Sequence, residues 1–81
     1  MSHYPRLDHL AVSNEGFVFD PSSGDSFQVS EIGLVILTAL RAGRTADAIA
    51  QALTEKYDVS LADAQHDVAD FQASLGNHGL L

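Results

Sequence analysis

Hydrophobic and polar positions keep one period up to Val29 and another after Ser30. Before the break, apolar residues alternate over short runs, the two-residue period of a pleated strand. After it they recur every three or four positions, the period of a helix. Residues 1–6 carry no period, and Pro5 is expected to interrupt regular structure there. Leu7 to Val12 alternates imperfectly, with Leu7, His9 and Ala11 set against Asp8, Leu10 and Val12, and reads as a weak strand. Ser13-Asn14-Glu15-Gly16 is a turn signal. Phe17 to Asp20 is aromatic and β-branched, as a strand prefers. Pro21-Ser22-Ser23-Gly24 makes a second turn, with proline where φ near −65° is wanted and glycine where positive φ is tolerated. Ser26 to Val29 then alternates cleanly: Phe27 and Val29 share one face, Ser26 and Gln28 the other.

Three helices follow. The first runs from the N-cap residue Ser30 to Gly43, with Ile32, Val35, Ile36, Ala39 and Leu40 on one face. Leu34 and Leu37 lie off that face, so this helix either sits between two layers or offers them to a partner. The hairpin's need for a packing surface favours the first arrangement. The second helix starts at Thr45, has Asp47 in its first turn, and carries the stripe Ala46, Ile49, Ala50, Leu53 and Tyr57. The third starts at Ser60, with Asp63 three residues on, and carries Leu61, Ala64, Val68, Phe71 and Leu75. Gly76 is expected to end it, and His78-Gly79-Leu80-Leu81 to fold back over the core.

The predicted architecture is α+β: a small antiparallel three-stranded β-sheet followed by three α-helices, in one domain spanning residues 1–81. The links Ala42-Gly43-Arg44 and Asp58-Val59 are short, as between the angled helices of helix-turn-helix domains. Nothing after the third strand reads as a further strand, so residues 26–29 are expected to leave a row of unpaired backbone donors and acceptors. Such an edge accepts an extended peptide, or a second copy of the same chain in a homodimer.

Composition narrows the function. A chain of 81 residues buries about 60–65% of its unfolded surface, leaving little room for a large cofactor. No cofactor is expected. The chain has no cysteine, so no disulfide, thiolate metal site or thiol nucleophile. The longest nearly apolar run, Ile32 to Leu40, is too short to span a bilayer, no signal peptide is visible, and the chain is read as cytoplasmic. Net charge is −7, with Arg6, Arg41, Arg44 and Lys56 scattered. Phosphate binding needs clustered cations, so nucleic acid and anionic membrane are not expected partners.

Several groupings bear on chemistry. Asp63, His66, Asp67 and Asp70 recur at helical spacing opposite the apolar stripe of the third helix. A metal site is one reading and a solvated acidic face the better one; that face would also attract a basic peptide or partner enzyme. His3, His9, His66 and His78 lack ligand spacing, and no motif positions a base beside a nucleophile. Gly24-Asp25-Ser26-Phe27 resembles the phosphopantetheine site of small acidic acyl or peptidyl carrier proteins, with Ser26 as the acceptor. In those proteins the serine opens a helix, whereas Phe27-Gln28-Val29 reads as strand. A winged-helix DNA binder is a further alternative, but its recognition helix would present Asp63, Asp67 and Asp70 and no Lys or Arg.

Taken in order, the elements resemble the PqqD-like family, the small RiPP recognition elements that bind ribosomally made precursor peptides. The resemblance runs from about Pro5 to Leu81. It is carried by the strand-turn-strand with Gly24 and Phe27-Gln28-Val29, then Ile32, Ile36, Leu40 and Gly43, then Thr45, Ile49, Leu53 and Tyr57, then Asp67-Val68, Phe71 and Leu75, and the closing Gly79-Leu80-Leu81. After the third strand, Ser30-Glu31-Ile32-Gly33 lacks the asparagine common in the family. The resemblance implies a winged-helix-like fold with its strands first and a non-enzymatic adaptor. Its partners would be a leader peptide and a peptide-modifying enzyme, in pyrroloquinoline quinone synthesis a radical S-adenosylmethionine enzyme. The leader would add as a strand along Ser26, Phe27, Gln28 and Val29 and rest beside Ala64, Val68, Phe71, Gln72 and Leu75 of the third helix. Ala64, Val68, Phe71 and Leu75 have a second reading, as plain core.

Overall fold

The computed structural model describes residues 5–81. The elements are α1 (Pro5–Asp8), β1 (Ala11–Val12), β2 (Phe17–Asp20), β3 (Asp25–Gln28), α2 (Glu31–Arg41), α3 (Ala46–Lys56) and α4 (Leu61–Asn77). Three antiparallel strands followed by three long helices are the architecture the periodicity predicts.

The start of the chain departs from it. The expected strand over Leu7 to Val12 divides into the helical turn α1 and the two-residue β1. Leu7 and Leu10 explain why. Both are core residues, 0% and 4% exposed, and strict alternation would send them to opposite faces of a sheet. One helical turn, closed by the Leu10 N–H on the Leu7 carbonyl at 3.2 Å, sends both inward. Pro5 therefore opens structure instead of blocking it, because the first residue of a helix has no use for its N–H. The expectation for residues 1–4 lies outside the described residues.

The sheet order is β1-β2-β3. Along β2, Val18 and Asp20 point inward while Phe17 and Phe19 stay 57% and 43% exposed. Asp20 organises the hairpin turn: its Oδ1 accepts the Ser22 N–H at 2.9 Å and its carbonyl accepts the Gly24 N–H at 2.8 Å. β3 begins and ends one residue earlier than the alternation suggests, but Val29 still donates to the Gly16 carbonyl at 2.8 Å and closes the open end of the hairpin. Gly16 is buried at φ +90°, and a Cβ there would lie 2.5 Å from the Val29 carbonyl oxygen. No other residue type fits that approach.

Each helix starts where its cap residue stands. Ser30 Oγ accepts from Gly33, Thr45 Oγ1 from Ala48 and Ser60 Oγ from Asp63, all at 3.1 Å. α2 lies between layers, as its surplus of apolar residues requires: Ile36, Leu37 and Leu40 are all buried, and Leu34 is half-buried. α3 and α4 pack against each other through Ile49, Ala50, Leu53, Ala64 and Val68. Leu61, placed in the α4 stripe by spacing, is 40% exposed, and the buried stripe of α4 begins one turn later at Ala64. α4 also runs through Gly76 to Asn77. The residue that ends it is Gly79, at φ +73°, and the Leu80 N–H then returns to the Leu75 carbonyl at 2.9 Å and seats Leu80 in the core. At the other end of the bundle, the Tyr57 hydroxyl donates to Glu31 Oε2 at 2.9 Å. Desolvation, and then the hydrogen bond and negative charge of Glu31, raise the Tyr57 pKa above its ordinary value. Among the described residues no helix is long and apolar enough to cross a membrane.

Gly16→Ala should destabilise the fold by about 1–3 kcal/mol from backbone strain, with the carbonyl clash added. Gly24→Ala is the control, because it has positive φ but nothing within 4 Å of the new Cβ. Thermal unfolding should show the larger drop for Gly16→Ala, at least about 5 °C; equal drops would mean that the close approach to Val29 is immaterial.

Candidate functional site

β3 is the margin of the sheet, and its pairing fixes which groups face out. The Val29–Gly16 bond sets the parity of the ladder: Phe27 and Val18 exchange hydrogen bonds, while Gln28 stands opposite Phe17, and Ser26 opposite Phe19, as non-bonded pairs. The N–H and C=O groups of Ser26 and Gln28 therefore point away from β2. Among the described residues no strand lies beyond them.

α4 runs alongside this margin. The His78 ring, just past its C-terminus, stacks on Phe27 with centroids 4.9 Å apart and planes within 4°. One end of the alignment is fixed there. Phe71 fixes the other: its Cε1 would be 3.1 Å from a Cβ built on Gly33, and the Val29 Cβ 3.2 Å from it. The α2 start, the end of the hairpin and α4 thus meet at one glycine. Beside that junction opens a cleft of roughly 350 Å³, lined by Ile32, Gly33 and Ile36 from α2 and by Asp67, Asp70, Phe71 and Ser74 from α4, with Ser30 at its end. The floor is apolar and the α4 rim acidic.

The residues singled out from sequence divide between this site and the interior. Ser26 and Gln28 are exposed on the margin; Phe27 and Val29 are half-buried, facing the helices. Phe71 is half-buried in the cleft. Ala64, Val68 and Leu75 are core, between 0% and 2% exposed. Gln72 lies on the opposite flank of α4, over a smaller depression shared with Ala46, Asp47 and Gln65. Spacing set Asp67 and Asp70 opposite the apolar stripe and assigned Ser74 and His78 no place at the site; the structure instead turns Asp67, Asp70 and Ser74 to the cleft beside Phe71 and lays His78 on Phe27. They form a second stripe with Phe71, turned one step from the buried one. A signal for it was present in Gly33, since a glycine inside a helix costs about 1 kcal/mol against alanine and here permits the close approach of Phe71.

Other chemistry finds no support in the geometry. Ser26 lies within a strand, not at a helix start where a carrier serine would sit. Among the described residues no three His, Asp or Glu converge on a metal position. Asp63 and Asp70 are exposed and Asp67 half-buried, giving α4 an acidic surface where a DNA-reading helix would be basic.

The family model described as coenzyme PQQ synthesis protein D (PqqD) matches residues 15–81. The chain belongs to the PqqD family. Among solved structures, it is similar to a lasso peptide synthetase B1 complexed with the leader peptide, with 30% identity and a TM-score of 0.77 over 88% of this chain and 85% of that one. It is also similar to TbiB1 in complex with the TbiA(beta) leader peptide, with 25% identity and a TM-score of 0.79 over 89% of this chain and 85% of that one. No curated protein matches.

In this PqqD-family chain the Phe27–His78 stack ties the end of α4 to the β3 margin, an aromatic contact worth about 0.5–1.5 kcal/mol. The Phe27 ring current should move the His78 ring protons upfield in the proton spectrum, and Phe27→Leu should return them toward their free positions with α4 still helical. Resonances unchanged by the substitution would show that the rings do not stack in solution.

Proposed function

We propose that the chain is a non-catalytic adaptor, a single recognition domain spanning residues 1–81. It captures the leader segment of a ribosomally made precursor peptide and presents it to a peptide-modifying enzyme. Capture is by strand addition: the leader pairs with the outward N–H and C=O groups of Ser26 and Gln28 and sends alternate side chains toward Phe27, Phe71 and the α2–α4 cleft. The observation that carries this reading is the conjunction of an open β3 margin with a cleft directly beside it, in a fold shared with two proteins solved with leader peptides.

Physical chemistry supports the arrangement. Main-chain pairing aligns extended peptides whatever their sequence, and side-chain pockets select among them. A free leader is disordered, so ordering it on the margin offsets part of the contact energy and holds affinity to a moderate level that allows release. The enzyme served is of the radical S-adenosylmethionine class if the chain works in quinone cofactor synthesis, and the cytoplasm is the compartment where both partners would meet. Self-pairing of β3 margins in a homodimer would compete with capture, so a peptide should dissociate any dimer that forms.

Gln28→Pro removes one outward donor and no bond to β2, because proline is tolerated on an edge strand. With a peptide selected for binding to the intact chain as probe, binding should weaken at least about tenfold, the equivalent of one hydrogen bond of about 1.4 kcal/mol. Helicity by circular dichroism should not change. Full binding by a folded Gln28→Pro protein would refute strand addition at β3.

A further inference from the structure

The cleft combines an apolar floor with an uncompensated acidic rim. Ile32, Ile36 and Phe71 form the floor, and Asp67 and Asp70 stand on the α4 side. Among the described residues no Lys or Arg lies within ion-pair distance of either carboxylate. The contact Asp70 has is His66 Nε2 at 3.1 Å, between side chains 70% and 73% exposed. Asp67 is half-buried against the cleft and has no such neighbour. An occupant that covers the floor also takes water from Asp67. A carboxylate desolvated without a partner is costly, so a neutral or acidic occupant is penalised there and one carrying a cation is not. The net charge of −7 acts in the same direction at longer range.

The register of the site says where the cation falls. A strand laid on β3 sends every second side chain to the face that holds Phe27 and Val29, a spacing of about 6.6 Å. Asp67 and Phe71 are one turn apart on α4, a rise of about 6 Å. α4 lies along β3, with His78 at Phe27 and Phe71 near Val29 and Gly33. One turn of α4 thus matches one inward step of the added strand.

Resting on strand addition at β3, we propose that the captured peptide carries a lysine or arginine two residues from the side chain that covers Phe71, and that Asp67, assisted by Asp70, selects for it. The test is a displayed library of random peptides selected against the intact chain and against its Asp67→Asn/Asp70→Asn variant, checked for unchanged helicity. Peptides enriched on the wild type should show Lys or Arg at one fixed position, two residues from an apolar one. The variant should keep the apolar preference and lose the basic one, and a wild-type-selected peptide should bind it about tenfold more weakly at low salt. Peptides that shift the Ser26 and Gln28 amide resonances but show no basic preference, or show the same preference on the variant, overturn the selection while leaving strand addition standing. Enriched peptides that leave those two amides unmoved overturn strand addition, and this inference with it.

Discussion

The hydrogen bond from the Val29 N–H to the Gly16 carbonyl organises everything that follows it in the chain. It closes the hairpin at the end away from its turn, and so fixes the parity of the ladder. With that parity, Phe27 and Val29 face the helices and the polar groups of Ser26 and Gln28 face outward. A slip of one residue would reverse both. The same bond delivers Ser30 to the position where its hydroxyl caps α2 at the Gly33 N–H. The capped turn contains Gly33, whose missing side chain lets Phe71 approach. Margin, cap and cleft are therefore consequences of one closure, which only a glycine at residue 16 can make.

α4 shows how one helix serves two surfaces. Ala64, Val68 and Leu75 are buried and fix the helix to the core. One step around the cylinder, Asp67, Phe71, Ser74 and His78 look toward the cleft and β3. Phe71 lies at the boundary and belongs partly to each. Substitutions on the first stripe act through stability, and substitutions on the second act on a surface already held in place. The Schellman-type return of Leu80 to Leu75 anchors the end of the helix, and so holds His78 over Phe27.

Much of this was legible in the residues. Ser30, Thr45 and Ser60 announce their helices because a cap is a local bond that depends on nothing distant. The hairpin and the buried position of α2 follow from alternation and from surplus apolar residues. Leu7 and Leu10 misled because a run this short fits either period, and tertiary burial decided it. The stop at Gly76 misled because glycine is tolerated inside a helix when the better exit, Gly79 followed by an apolar residue, comes three positions later. The cleft-facing stripe of α4 could not be separated from the core stripe by spacing alone. Both repeat every three or four residues, and which one is buried depends on how α3 and α2 dock.

If a peptide is captured on β3 as proposed, the energetics of so short a margin decide where selectivity would lie. Ser26 and Gln28 offer two outward donors and two acceptors, worth together about 2–6 kcal/mol at a net value of about 0.5–1.5 kcal/mol each. Fixing the backbone of a free peptide costs about 1–2 kcal/mol per residue, so a four-residue partner strand loses about as much as the four bonds return. Main-chain pairing of the proposed kind on β3 would therefore set register and direction without supplying net affinity. Under the proposed capture the surplus would come from side chains entering the cleft, where covering the half-buried Phe71 and Ile32 removes apolar surface from water at about 25 cal/mol per Å². A longer strand edge would bind any extended chain; one this short would hold only peptides whose side chains suit the neighbouring helices.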